Sequence, residues 1–299
     1  MIDLHTHTTA SDGRCSPAEL AARAAAAGVT VLAVTDHDTV ASCAAAAAAS
    51  AAAGVEFVPG IEITAIADGR DLHVLGYFID ALSTGLLTFL EEQRRRRIDR
   101  VRQIIERLAA HGVALDADAI LRPALEDPTR AIGRPWVARA LVAGGHVADS
   151  TQAFDRWLGR GRPAFIARLG ATPDAVFARI HDAGGLASLA HPALVQHDEW
   201  LPGFAAVGLD AIEAYHSEHD GAATDRYLAM ADTLGLCVTG GSDYHADDAH
   251  GSASPGSVSL PRSAYEKLVR LKADRGRGGG QSHLLATIRA TASGSATSS

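Results

Sequence analysis

Cysteine is scarce in this chain of 299 residues, which has only Cys15, Cys43 and Cys237. The three are far apart, odd in number and form no CxxC pair, which argues against a disulfide framework and against a thiolate zinc site. A reducing, cytoplasmic setting fits. Long hydrophobic runs are also missing. The alanine-rich stretch Ala44 to Ala53 is broken by Ser50 and is too short and weakly apolar to span a bilayer. No membrane association is expected. The opening Met1-Ile2-Asp3-Leu4-His5 has neither the basic nor the apolar region of a signal peptide. Nor is there an excess of positive charge: 35 acidic side chains face 27 basic ones, for a net charge of −8 with His neutral. A protein with an extended nucleic-acid surface would be basic. A small anionic substrate, met locally by metals or a few arginines, stays compatible with this balance.

Strand and helix units alternate up to Asp80. Ile2-Asp3-Leu4 reads as a short strand. Ser16-Pro17-Ala18-Glu19 has the form of a capping box, and the helix it opens runs to about Ala27, where Gly28 suits its end. Val29 to Thr35 is a β-branched strand, followed by an alanine-rich helix closed by Gly54. Val55 to Pro59 is the next strand, Gly60 to Ala65 continues toward a polar loop, and Leu72 to Phe78 is a further strand. Such alternation predicts a mostly parallel sheet, open or closed into a barrel. After Asp80 the pattern changes. Leu86 to Ala110 has long helical character, carries Arg94-Arg95-Arg96-Arg97 and ends at His111-Gly112. Residues 86–159 read as a mainly helical insertion between two barrel segments, 1–85 and 160–275. Strand–helix alternation returns after Thr172-Pro173-Asp174. From Gly276 to Ser299 the chain is rich in Gly, Ser, Ala and Thr, as in a flexible tail, with Leu284 to Ile288 able to form a short helical piece.

The chemistry-bearing residues cluster at the carboxyl ends of these strands. His5-Thr6-His7 follows the first, and in an extended segment residues two apart point the same way. Asp12 lies in the next loop. Thr35-Asp36-His37-Asp38 follows the second strand, Glu62 the third, and His73 lies within the next. Ala190-His191-Pro192 ends a later strand and Ser242-Asp243-Tyr244-His245 the last. Active sites of α/β sheets and barrels form at this edge. A lone His, such as His111, His146, His181 or His283, is more often a surface or core residue. So many ionisable groups converging on one edge would each be costly to bury without counter-charge. Divalent ions remove that penalty, and mixed nitrogen and oxygen donors suit Zn, Mn or Fe better than Ca or Mg.

These motifs, together with Gly60-Ile61-Glu62 and Gly241-Ser242-Asp243-Tyr244-His245, resemble the polymerase and histidinol phosphatase (PHP) superfamily on both sides of the insertion. The resemblance implies a distorted TIM-like barrel of seven βα units binding three divalent ions, manganese first, with zinc or iron as alternatives. His5, His7, Glu62 and Asp243 are then expected on one ion. Glu62 would bridge to a second ion held by His73 and His191, and Asp12, His37 and His245 would hold the third. Asp36 and Asp38 are candidates for outer-shell or proton-transfer roles.

Within the insertion, Ile132-Gly133-Arg134-Pro135 and Leu158-Gly159-Arg160-Gly161-Arg162-Pro163-Ala164 resemble the PHP subgroup of 3′,5′-nucleoside bisphosphate phosphatases and ribonuclease AM. In that subgroup an arginine of the first motif grips a phosphate, which points to Arg134. Trp136 stands where the family often has His. It can stack on a base, although a packed helix residue is the commoner case. Arg160 and Arg162 divide evenly between substrate contact and loop charge, and Arg94 to Arg97 more often make a solvated helix face than an attraction for RNA. His216, in Ala214-Tyr215-His216-Ser217-Glu218-His219, is expected to touch the substrate phosphate or act as an acid.

The reaction implied is hydrolysis of a nucleotide phosphomonoester, specifically the 3′-phosphate of a nucleoside 3′,5′-bisphosphate, with 5′→3′ trimming of short RNA as a related activity. Phosphodiesterase action on cyclic or small-molecule phosphates is the alternative reaction. A non-catalytic PHP binding module is the alternative of another class.

Overall fold

The computed structural model describes residues 1–127, 132–246 and 254–292, with side chains as far as 277. In chain order the elements are β1 (Ile2–Asp3), α1 (Pro17–Ala26), β2 (Val31–Val34), α2 (Cys43–Ala52), β3 (Glu56–Ala67), β4 (Arg70–Tyr77), α3 (Thr84–Ala110), α4 (Ala117–Glu126), α5 (Arg134–Ala143), α6 (Ser150–Ala153), α7 (Pro173–Asp182), β5 (Leu186–Leu189), α8 (Pro192–Val195), α9 (Leu201–Ala206), β6 (Ala211–His216), α10 (Gly221–Leu234), β7 (Cys237–Gly241) and α11 (Arg262–Ala292). A π-helical turn, Phe154–Leu158, follows α6. The helices start where local chemistry dictates. Ser16 and Glu19 form the reciprocal capping box of α1, the Glu19 carboxylate accepting from Ser16 N–H at 2.8 Å.

The seven strands follow one another around the sheet in sequence order. The edges meet: Leu4 N–H donates to Gly240 O at 3.2 Å and Asp243 N–H to His5 O at 2.8 Å. The result is a nearly closed α/β barrel. The strands are mostly parallel, as expected, with one exception. β4 runs antiparallel to both β3 and β5, because β3 extends to Ala67 and turns back directly through Asp68 (φ +48°) and Gly69 (φ +66°). Two residues of positive φ make the tight turn that matches strand twist, and Asp-Gly is its preferred sequence. The signal was present at Asp68-Gly69, in the stretch read as a polar loop.

Strand β2, Val-Leu-Ala-Val, is buried throughout, as parallel strands covered on both faces are. Its Leu32 and Val34 pack with Leu20 and Ala24 of α1 and Ala46 of α2. Ile61, Ile63, Val74 and Ile212 pack with Leu86 and Leu90 of α3 and with Phe177 and Ile180 of α7. A second core lies in the insertion, where Ile98, Ile104 and Leu108 of α3 meet Val137, Leu141 and Leu158. Helix α3 thus belongs to the barrel core at its start and to the insertion core further on. Helix α11 continues to Ala292, beyond residue 276 where the sequence suggests a tail; residues 293–299 lie outside the described residues. No described helix is long and apolar enough to cross a membrane, and all three cysteines are free thiols.

Candidate metal centre and adjoining anion pocket

The strand ends deliver their side chains to one place. His5 and His7 follow β1, His37 follows β2, Glu62 and His73 lie in the β3–β4 hairpin, His191 follows β5, and Asp243 and His245 follow β7. The chain bends sharply at these exits. Asp38, His191 and Asp243 have φ values of +49°, +28° and +54°, which side chains with a Cβ rarely adopt. Local strain of this kind collects at functional sites.

All nine expected ligands converge. Nε2 of His5 lies 3.4 Å from Glu62 Oε2 and 3.3 Å from Asp243 Oδ1. Nε2 of His7 lies 3.2 and 3.1 Å from the same two oxygens. On the other Glu62 oxygen, Oε1, His73 Nδ1 closes to 2.9 Å and His191 Nε2 to 3.2 Å. His245 Nε2 is 3.2 Å from Asp12 Oδ1, and His37 Nε2 is 3.7 Å from Asp12 Oδ2. The grouping is more shared than the expected three sets. His37 Nδ1 also lies 3.1 Å from Glu62 Oε2, and His7 joins Asp12, His37 and His245 in one four-residue group. His216 groups with His5 and Asp243, its Nε2 3.4 Å from Asp243 Oδ2.

The donor set fits divalent cations. Two atoms each about 2.1 Å from a cation and about 90–110° apart are about 3.0–3.4 Å from one another. Most of these nitrogen–oxygen separations fall in that range. Both ring nitrogens of His7, Nδ1 of His37 and Nε2 of His216 are buried without a hydrogen-bond partner, which is unusual for buried polar atoms unless another ligand completes them. The charges fit as well. Burial opposes a charged His7, but the nearby Asp243 and Glu62 carboxylates prevail and push it up to about 10. Burial opposes charge on Glu62 and Asp243 too, yet the surrounding imidazoles hold both well below the usual carboxylate range. A site that draws protons this strongly also draws cations.

A ring of side chains positions this cluster. Asp36, a candidate for outer-shell or proton-transfer work, is held by hydroxyl and backbone donors. Its buried carboxylate accepts from Thr8 N–H and Oγ1 and from Ser11 Oγ, each at 2.7 Å, and from Ser42 Oγ. It braces the loop that carries Asp12. Glu213 is completely buried, with Oε1 2.9 Å from His5 Nδ1 and Oε2 accepting from His191 N–H at 2.7 Å. Sequence reasoning missed it, although an acid within the apolar strand Asp210-Ala211-Ile212-Glu213-Ala214 was the available signal.

Beside the cluster lies a cavity of about 140 Å³ whose lining includes Asp12, His37, His73, Asp71, Arg97, Arg100, Arg134 and Arg168. Arg134 lies on this cavity, 3.1 Å from Asp71 Oδ2. Arg97 and Arg168 both reach Asp38 Oδ2 at 2.5 Å, and Arg100 lies 3.7 Å from Asp71. Four guanidinium groups thus face two carboxylates, Asp38 and Asp71. Burial and then the crowding of Arg97 push Arg168 down to about 10. Of the arginine run, Arg95 and Arg96 make exposed pairs with Glu91 and Glu92, as a solvated face predicts. Arg97 turns inward instead, and Arg100, Val101 and Ile104 share its face at helical spacing. Arg160 and Arg162 are not brought to the cavity. Both are exposed, and Arg160 donates to Gly69 O. Trp136 lines a smaller adjoining space with Ser11, Asp12 and His37, and the Arg139 guanidinium lies over its ring.

A barrel with imidazoles and carboxylates gathered at one strand edge, next to an arginine-lined cavity, defines a metal-dependent hydrolase of phosphate esters. The PHP domain profile matches residues 3–119. The chain is 35% identical over 248 residues to a 5′-3′ exoribonuclease of Haemophilus influenzae, covering 81% of this chain and 89% of that one. It is 33% identical over 250 residues to a 3′,5′-nucleoside bisphosphate phosphatase of Chromobacterium violaceum, covering 82% and 87%. Among solved structures, one described as an amidohydrolase from Chromobacterium violaceum superposes with a TM-score of 0.78 at 32% identity, over 87% of this chain and 92% of that one. The chain belongs to the PHP family and is a metal-dependent phosphoesterase.

Proposed function

We propose that the enzyme removes a phosphate from a nucleotide that carries a second phosphate, with a nucleoside 3′,5′-bisphosphate as the preferred substrate and short 5′-phosphorylated RNA as a related one. The observation that carries this reading is the cavity lined by Arg97, Arg100, Arg134 and Arg168, which shares Asp12, His37 and His73 with the cation cluster. A substrate spanning the two would place its scissile phosphate among the imidazoles and its other phosphate among the guanidinium groups. Guanidinium pairs bind phosphate oxygens through parallel hydrogen bonds, and the four guanidinium groups outnumber the carboxylates around them. Relatives named for the two activities are similar to this chain to nearly the same degree.

Divalent cations, three of them with manganese first, would supply Lewis acidity to a phosphoryl oxygen and acidify water. The residues of the chain do the rest. Glu62 offers one oxygen to each side of the cluster, His5 and His7 on one and His73 and His191 on the other. His216 accepts Glu218 N–H on Nδ1 at 3.1 Å, which leaves Nε2 as the ring nitrogen that faces Asp243 Oδ2 at 3.4 Å. Arg134 orients the non-reacting phosphate. The unpaired thiols are in keeping with a cytoplasmic location.

The test is a manganese-loaded assay of a nucleoside 3′,5′-bisphosphate, the matching 3′-monophosphate, a 5′-phosphorylated trinucleotide and a cyclic nucleotide. Arg134→Ala should lower kcat/KM on the bisphosphate about 10- to 100-fold while leaving the 3′-monophosphate rate nearly unchanged. Equal losses on both substrates would remove the second-phosphate role, and preference for the cyclic nucleotide would favour the phosphodiesterase reading.

A further inference from the structure

We propose that Glu213 is a positioning residue that sets the ligand geometry of the whole cluster, by fixing the tautomer of His5 with one oxygen and the backbone of His191 with the other. This rests on the reading of His5 and His191 as cation ligands.

Glu213 lies in β6 with its carboxylate fully buried behind the histidines. An ionised carboxylate can only accept hydrogen bonds. The 2.9 Å contact from Oε1 to His5 Nδ1 therefore places the His5 proton on Nδ1. With a cation bound, Nε2 would then offer its lone pair, and it is this nitrogen that faces Glu62 Oε2 and Asp243 Oδ1 at 3.4 and 3.3 Å. The second oxygen takes the His191 backbone N–H at 2.7 Å. His191 has φ +28° and ψ +59°, a conformation a non-glycine residue keeps only when its surroundings impose it. That bend brings His191 Nε2 to 3.2 Å from the other oxygen of Glu62. Glu62 thus faces both sides of the cluster from the front, and Glu213 holds one histidine of each side from behind.

Glutamine discriminates this role from simple filling of space, because it keeps the shape and replaces one acceptor by a donor. The backbone N–H of His191 cannot change its character, so the amide oxygen must serve it and the amide NH₂ must face His5 Nδ1. The imidazole answers by moving its proton to Nε2, where it blocks the cation. Glu213→Gln should therefore fold normally yet bind manganese or zinc about 10- to 100-fold more weakly, the usual effect of losing a group that orients a ligand.

Equilibrium dialysis with manganese and with zinc, run on wild type and on Glu213→Gln, measures the affinity. Circular dichroism checks the fold. Nitrogen NMR of histidine-labelled, zinc-loaded wild type reads the tautomer directly, and His5 is expected with a protonated Nδ1 and a zinc-bound Nε2. Wild-type affinity in a folded Glu213→Gln protein would overturn the proposal, as would a zinc-bound Nδ1 on His5 in the wild type. If Glu213→Gln does not fold, the wild-type spectrum decides alone. Wild type that binds no cation overturns the ligand assignment and with it this proposal, and the wild-type dialysis tells that outcome from the others.

Discussion

At the scale of the residue, Asp38 joins the histidine and carboxylate cluster to the arginine-lined cavity. It follows the ligand His37 in sequence, accepts Thr64 N–H at 2.9 Å and receives both Arg97 and Arg168 on one oxygen. Burial raises its pKa, but the two guanidinium groups outweigh burial and hold it at about 2. A carboxylate held below its unfolded value of about 3.9 contributes stability that is fully present above about pH 4 and is lost as pH falls through about 2. Asp38→Asn leaves two buried arginines facing each other without their counter-ion. It should lower stability at pH 7 by about 2–4 kcal/mol in urea unfolding, and the difference from wild type should shrink below about pH 3. A variant as stable as wild type at pH 7 would show that the ion pairs contribute nothing net. Legibility varied at this scale. His5, His7, Glu62, His191 and Asp243 stand out because few reasons exist for such residues at successive strand ends. Arg97 was hidden in a run of four like residues, since only the direction of each side chain around α3 separates Arg97 from Arg95 and Arg96. Arg168 lies in no motif, and only the fold brings it to Asp38.

At the scale of the element, the barrel closes through backbone contact between β7 and the start of the chain. Gly241 is the point of closest approach. A Cβ placed there would sit 2.3 Å from His5 N and 2.5 Å from His5 Cβ, so the reason for glycine is space beside a ligand. Gly241→Ala should force the two segments apart, at about 1–3 kcal/mol as overpacking does, and displace His5 with them. Thermal unfolding together with cation dialysis checks this, and an unchanged melting temperature with unchanged affinity would refute it. The hairpin of β3 and β4 carries the other lesson of this scale. The resemblance to seven βα units hid the antiparallel strand, although Asp68-Gly69 marked it. Without that reversal Glu62 and His73 would not lie on neighbouring strands two pairs apart, with His73 opposite Thr64.

At the scale of the whole molecule, the candidate cation cluster ties the first and last strands of the barrel together. Its ligands run from His5 to His245 and come from segments that pack into separate cores. Cations that bind only the folded state stabilise it by mass action, by about 2.7 kcal/mol for each cation present at about 100 times its dissociation constant. Removing them with a chelator should therefore lower the melting temperature by about 5 °C or more, and manganese or zinc should restore it. Chelation that leaves the melting temperature and bound-metal content unchanged would contradict a cation-filled cluster.

Residue order by itself determined which side chains stand at strand ends, where α1 and α3 begin and stop, and that the chemistry would be carried by imidazoles and carboxylates. Those features are local, set by capping, periodicity and spacing. Only the tertiary structure decided that Arg97, Arg100, Arg134 and Arg168 share one cavity with Asp71, that Asp38 pairs with two of them, and that Glu213 stands behind His5 and His191. Such contacts join residues up to hundreds of positions apart, and their geometry depends on how a barrel closes and how an insertion packs on it, which no local pattern records.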